Sequence, residues 1–130
     1  MAIEKTRDYY KTYDDLCDCA YFRNYIREIK KAYPDLVSFL DKIGVDIEKP
    51  FETMPGEPEN GYIEYFGVQY IVIGDKKDFS KIKLGEVTID LAKSFPDPGI
   101  DGKYFVIETG PMKLEWTMEG KYERNIYRIY

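Results

Sequence analysis

The sequence predicts one α+β domain, in which an N-terminal helical pair packs on a mainly antiparallel sheet of five or six strands. Apolar side chains recur at helical spacing in residues 18–43, whereas after residue 61 they alternate with a period of two. Short turns separate the predicted strands, which favours antiparallel neighbours. We therefore assign residues 1–130 to a single domain, with a helical part at about 14–44, an acidic connector at 45–61 and the sheet at 62–130.

Length and composition are those of an ordinary globular protein. The 130 residues include 44% hydrophobic and 33% charged residues, and a chain of this length buries about two-thirds of its unfolded surface without cross-links. Two cysteines separated by one residue do not resemble the disulfide framework of a secreted domain. There is no run of 18 apolar residues and no apolar stretch near the start, so we expect a cytoplasmic protein without membrane contact.

Residues 1–13 show no clean hydrophobic period, so the sequence leaves their secondary structure open. They include Tyr9, Tyr10 and Tyr13. One interpretation is an arm that docks through these rings.

The first predicted helix begins near Asp18, whose carboxylate suits an N-cap because it can accept hydrogen bonds from the first turn. Its apolar face follows the i, i+3, i+4, i+7 and i+11 spacing, with Phe22, Tyr25, Ile26, Ile29 and Tyr33. The opposite arc is predicted to face solvent and carries Arg23, Asn24, Arg27, Glu28, Lys30 and Lys31.

Pro34 separates this helix from a second one. The proline ring disfavours helical geometry at Tyr33, and proline suits the first position of a new helix. Gly44 stands where a left-handed C-terminal cap is expected. The second apolar stripe consists of Leu36, Phe39, Leu40 and Ile43.

Residues 46–61 contain three prolines and two glycines and are predicted to be a connector without regular structure. The net charge of -5 is concentrated between residues 45 and 69, where Lys49 is the only base beside Asp46, Glu48, Glu52, Glu57, Glu59 and Glu64. This distribution argues against nucleic-acid binding, which requires a basic surface, but it allows a basic protein partner. The acids lack the tight spacing of a calcium loop, so we interpret them as solvated.

Strands are predicted from period-two alternation and from runs of β-branched and aromatic residues. Gly67 interrupts the first of these runs and marks a turn or a bulge, and residues 70–73 are apolar on both faces, as in a central strand. Gly110 and Pro111 are predicted to turn the chain. The predicted strands are 62–66, 68–73, 82–84, 86–91, 104–107, 112–117 and, as a last addition, 125–130.

The sequence favours a protein without catalytic activity or cofactor. It contains no histidine, which removes the commonest general base and most zinc geometries, and it has no glycine-rich phosphate loop. Any catalytic site would have to use cysteine or carboxylates.

Cys17 and Cys19 are the candidate metal ligands. A helix N-terminus stabilises a thiolate, but the charge of the intervening Asp18 opposes its formation. A structural zinc site needs four ligands, so carboxylates such as Asp14 and Asp15 or a second copy of the chain would have to complete it. Inert thiols, a metal site and a redox pair all remain open.

Residues 17–25 read CDCAYFRNY, residues 44–50 read GVDIEKP and residues 61–65 read GYIEY. These segments resemble a family of small uncharacterised bacterial proteins, whose members open with C-x-C-x-x-C-R-N-[FY] and continue with G-[IV]-D-x-x-K-P. The resemblance covers about the first half of the chain and implies no activity. The third cysteine of the pattern is replaced by Phe22, so a thiol site present in relatives would be incomplete here.

The prediction for function is a small acidic adaptor or inhibitor-like domain that binds another protein, preferably a basic one. Tyrosine rings are enriched in protein interfaces, and this chain has 13 of them. The alternative is a thiol-based metal-binding or redox protein that uses Cys17 and Cys19. The tyrosines assigned to a surface patch are Tyr9, Tyr10, Tyr13, Tyr21, Tyr122, Tyr127 and Tyr130.

Overall fold

The computed structural model describes residues 1–14 and 16–118, which form three helices followed by a six-stranded antiparallel sheet. The helices are α1 (Ile3–Thr12), α2 (Ala20–Ala32) and α3 (Pro34–Lys42). The strands are β1 (Glu52–Pro55), β2 (Tyr62–Ile73), β3 (Ile82–Leu84), β4 (Val87–Leu91), β5 (Tyr104–Gly110) and β6 (Met112–Glu115). The α+β prediction is confirmed.

The 12-residue strand β2 is the centre of the sheet. The strand order is β1-β2-β5-β4-β3, and β6 pairs with the first part of β2 on the edge that β5 also occupies. Strands β5 and β6 therefore run in the same direction along β2. The predicted reversal at Gly110 and Pro111 is wrong, because these two residues join consecutive segments on one edge.

A bulge in β2 changes which face its side chains occupy. Met54 of β1 lies opposite Gly67 and Pro55 lies opposite Tyr65, so Phe66 is an extra residue on β2. Before it, odd-numbered residues face the helices, and after it even-numbered residues do. The predicted break at Gly67 is thus a bulge within one strand, and the predicted division into two strands is wrong.

The core lies between the three helices and the inner face of the sheet. Both sides of the bulge contribute buried side chains to it, as do β4, β5 and β6, and β3 packs against it with the partly buried Ile82 and Leu84. The largest buried side chains from β2 and the helices include Tyr25, Ile29, Leu36, Leu40, Ile63, Tyr65 and Tyr70.

The junction of α2 and α3 follows the sequence prediction. Pro34 occupies the first turn of α3, and Gly44 has a φ of 87°. The Val45 N–H donates to Leu40 O at 2.9 Å and the Gly44 N–H donates to Asp41 O at 3.0 Å, which is the Schellman pattern. A side chain at Gly44 would also meet Ile3 O at 2.5 Å, so this glycine lets α1 approach α3 closely.

The start and the outer arc of α2 differ from the prediction. Cys19, not Asp18, is the N-cap residue, and no side chain caps the helix. Asp18 instead lies 3.4 Å from Arg23 on the surface. Asn24 and Glu28 were predicted to face solvent but are buried, because the chain after β6 returns beside α2.

Helix α1, whose state the sequence left open, covers the edge of β2 that β1 does not reach. The Tyr10 hydroxyl accepts a hydrogen bond from the Ile71 N–H at 3.0 Å and donates to Ile71 O at 2.7 Å. The Thr6 hydroxyl accepts from the Ile73 N–H at 3.0 Å. Thr6 and Tyr10 are four residues apart, a rise of about 6 Å along the helix, and two residues of strand span about 6.6 Å. The two hydroxyls can therefore reach alternate residues of β2 and take the place of a neighbouring strand. Helix α1 is therefore docked through one tyrosine and one threonine.

The connector contains an unpredicted strand. Residues of β1 pair with Tyr65, Gly67, Val68 and Gln69 of β2, so the prediction of no regular structure for residues 46–61 is wrong. An edge strand tolerates Pro55 because one side of the strand needs no hydrogen-bond donor. The last predicted strand, 125–130, lies outside the described residues.

Candidate functional site

The two cysteines lie on the surface as free thiols immediately before α2. Partial burial raises the pKa of Cys19, and a hydrogen bond with the Cys17 thiol raises it further, against the opposing effect of the Phe22 N–H group. Burial and the Cys17 contact therefore outweigh the effect of the helix N-terminus on the pKa of this thiol.

A metal site at Cys17 and Cys19 stays a prediction. Within residues 1–14 and 16–118, no group of three or more Cys, Asp or Glu side chains is arranged to hold a metal ion. Asp15, one of the suggested carboxylate ligands, lies outside the described residues. Phe22, at the position of the third cysteine of the family pattern, is buried in the first turn of α2.

The tyrosines predicted to form a surface patch have several different roles. Tyr9, Tyr10 and Tyr13 contact one another within the N-terminal segment, and Tyr10 is buried there. Tyr21 packs against Trp116, with ring centroids 5.7 Å apart. The other members of the predicted patch, Tyr122, Tyr127 and Tyr130, lie outside the described residues.

The buried tyrosines form hydrogen bonds that tie the helices to the sheet. Tyr70 donates to Ile47 O at 2.7 Å, so its oxygen accepts the proton of Tyr25 across 2.6 Å. Tyr65 donates to Tyr21 O. Burial raises the pKa of Tyr25, Tyr65 and Tyr70, so these phenols stay neutral at physiological pH and keep the protons that their hydrogen bonds need.

The outer face of the sheet, opposite the helices, is covered over only part of its area. Ser94 O accepts a hydrogen bond from Gln69 at 2.9 Å, and the Phe95 ring packs on Tyr104 at 6.3 Å, so the 92–103 loop lies on this face. Ile71 and Val106 are buried there.

The other part of this face exposes a group of apolar side chains around Phe66. Phe66 is 58% exposed, Tyr62 is 45% exposed and Met54 is 37% exposed. The Phe66 ring separates two open depressions, one towards the 56–64 segment and one towards β4 and β5. We call Met54, Tyr62 and Phe66, with the acids that line these depressions, the outer patch. Those acids are Glu57, Glu59, Glu64, Asp90 and Glu108.

The charge of the outer patch is predominantly negative. Against five carboxylates the two depressions contain Lys93 and Lys113, and the Lys113 ammonium lies 5.0 Å from the centre of the Tyr62 ring. Among the described residues, none of the five carboxylates takes part in an ion pair. The patch therefore combines exposed aromatic surface with an excess of negative charge.

Sequence reasoning identified the acids of the connector and missed the rest of this patch. The bulge places both Phe66 and Gly67 on the outer face, and the pairing of β2 with β5 brings Glu108 beside them. Gly67 was the residue in the sequence that could have indicated this close approach of Glu108 to β2. A Cβ there would lie 3.0 Å from the Glu108 carboxylate, so the missing side chain makes room for that acid.

The described chain has no helix of the length and apolar character needed to cross a membrane. No protein-family model, curated protein or solved structure matches the sequence or the fold.

Proposed function

We propose that this chain is a non-catalytic cytoplasmic binding domain that recognises a basic segment of another protein through the outer patch. The observation that carries the proposal is Phe66, a phenylalanine 58% exposed at the centre of a sheet face and flanked by two acidic depressions. Exposed apolar patches with polar rims are typical of protein interaction sites.

Charge complementarity selects the kind of partner. The patch has five carboxylates and two ammonium groups, and an opposing basic surface increases the association rate and excludes acidic competitors. In protein interfaces, central aromatic residues commonly carry most of the binding energy and are surrounded by polar contacts. Phe66 and the acids around it have this arrangement.

A displayed library of short random peptides tests the proposal. We expect peptides selected on the wild-type domain to be enriched in Arg and Lys next to apolar residues, and to bind more weakly as salt increases. Phe66→Ala should weaken their binding about tenfold or more, since central aromatic residues commonly contribute that much.

Phe95→Ala is the matched control. Phe95 is a second exposed phenylalanine on the same face, but it packs against Tyr104 outside the outer patch. We expect this variant to bind like wild type. Selected peptides without basic residues, or equal binding by the Phe66→Ala domain, would contradict the proposal.

A further inference from the structure

The depression between Phe66 and strands β4 and β5 has the composition of a site for one cationic side chain. Phe66 and Met54 supply its apolar wall, and Asp90 and Glu108 supply carboxylates. Both acids are half-buried. A long side chain with an apolar stem and a charged end matches this combination.

Asp90 and Glu108 lie directly opposite each other on β4 and β5. Like charges at such a cross-strand position destabilise a sheet unless a cation lies between them. Asp90 Oδ1 accepts from the Leu91 N–H at 2.8 Å, and Glu108 Oε1 accepts from Gln69 Nε2 at 3.1 Å. Within the described residues the second oxygen of each carboxylate has no hydrogen bond, so both can accept one from a ligand.

Gln69 adds a further unmatched acceptor. It is 2% exposed, and its Nε2 donates to Ser94 O and to Glu108, which both line the depression. Its Oε1 is buried and lacks a hydrogen-bond donor among the described residues. Buried amide oxygens are normally satisfied, so Gln69, which donates to two residues of the lining, has one acceptor without a partner among the described residues.

We propose that this depression binds the guanidinium group of an arginine in the partner protein. A guanidinium carries five N–H donors in a planar fork, which suits several acceptors at once, and its plane stacks on an aromatic ring such as Phe66. A lysine ammonium is a compact, strongly hydrated charge without that planar match. This inference rests on the proposed function and names the residue type that the outer patch recognises.

The test is a titration of the isotope-labelled domain with three capped tripeptides, acetyl-Gly-Arg-Gly-amide and its lysine and citrulline counterparts, followed by NMR. We expect saturable shifts of the Phe66, Asp90 and Glu108 amide signals with the arginine peptide. The lysine peptide should bind at least threefold more weakly, and the neutral citrulline peptide should produce no saturable shift.

Two variants test whether the carboxylate charges of Asp90 and Glu108 contribute to arginine binding. Glu108→Gln and Asp90→Asn each keep an oxygen for the existing hydrogen bonds and remove one charge, so we expect folded proteins with about tenfold weaker arginine binding. Glu86→Gln is the matched control, because Glu86 is exposed and lines a different depression, beside α3. It should bind like wild type.

Equal affinity for the arginine and lysine peptides would overturn the guanidinium assignment, as would saturable shifts confined to residues 57–64 or unchanged binding by Glu108→Gln. If the tripeptides fail while the selected peptides still depend on Phe66, only this subsite is wrong. If the selected peptides also bind independently of Phe66, the proposed function is wrong as well.

Discussion

The Tyr10 hydroxyl forms hydrogen bonds with both backbone groups of Ile71, at 3.0 Å from its nitrogen and 2.7 Å from its oxygen. This single side chain satisfies two backbone groups that would otherwise be unpaired at a sheet edge. Helix α1 is therefore held against the sheet by hydrogen bonds as well as by apolar contacts.

Tyr10→Phe should destabilise the fold. The ring still fills its place, but one N–H and one C=O of Ile71 lose their partner in a buried environment, which costs about 1–3 kcal/mol in the free energy of unfolding. Urea denaturation measures this change. Tyr62→Phe is the control, because Tyr62 is 45% exposed and no hydrogen bond of its hydroxyl is seen within the described residues. Equal stability of the two variants would contradict the edge-covering role.

Stability should decline in alkali. Burial raises the pKa of Tyr25 and Tyr70 above the ordinary value of 10.0, so the folded state holds these protons more tightly than the unfolded state does. The contribution is fully present below pH 10 and is lost as the pH rises from there towards the folded-state pKa. Urea denaturation at increasing pH, with tyrosinate absorbance recorded in parallel, should show unfolding accompanied by a burst of ionisation. Complete tyrosine ionisation in a still folded protein would contradict this.

The sequence predicts the elements whose signals are local, and it fails where distant segments meet. Pro34 and Gly44 mark the ends of α3 because proline and glycine act on their own backbone. Helix α1 escapes detection because its two buried residues, Thr6 and Tyr10, are polar-tipped and form no apolar stripe. The burial of Asn24 depends on residues more than 90 positions away, which no local pattern encodes.

The same limit applies to the candidate site. Alternation alone would place every even-numbered residue of β2 on one face, so the bulge is what allows Phe66 to face outwards while Tyr70 faces the helices. Gly110 supports that bulge from the neighbouring edge: its φ is 152°, and a Cβ would meet Phe66 O at 2.6 Å. A glycine in each of two strands was visible in the sequence, but their contact was not.

Glu28→Gln should weaken the attachment of α2 to the segment after β6. Glu28 Oε2 accepts from the Thr117 hydroxyl at 2.7 Å, and Oε1 lies 3.1 Å from the Lys31 ammonium. Burial alone would raise the pKa of Glu28, but these two partners outweigh it and hold the pKa below its usual value. Loss of the charge should lower the free energy of unfolding at neutral pH by about 1–2 kcal/mol.

The pH dependence of this effect identifies its cause. Because the folded pKa of Glu28 is depressed, its stabilising contribution is present above the unfolded pKa and disappears as the pH falls through the folded one. The difference between wild type and Glu28→Gln should therefore shrink in acid, as urea denaturation at several pH values would show. Glu86→Gln, at an exposed position, should lose little stability at any pH. A difference that persists unchanged in acid would exclude the charge as its origin.

The predicted metal site has a direct test. If Cys17 and Cys19 bind a metal, protein purified without added metal should contain near-stoichiometric zinc or iron, measured by elemental analysis. The double variant Cys17→Ser, Cys19→Ser should then lose the metal and melt at a lower temperature. Metal-free wild-type protein that melts like the double variant would remove the prediction.

The reactivity of Cys19 separates two opposing effects at the start of α2. The helix N-terminus should lower the pKa of this thiol, whereas partial burial raises it, and the net direction is upwards. In a Cys17→Ser variant, which leaves one thiol, we expect the rate of alkylation by iodoacetamide to keep rising beyond the ordinary thiol range of about pH 8.5–9. The same variant unfolded in urea provides the reference midpoint. A folded-state midpoint at or below that reference would mean that the helix N-terminus dominates and that Cys19 is a reactive thiolate after all.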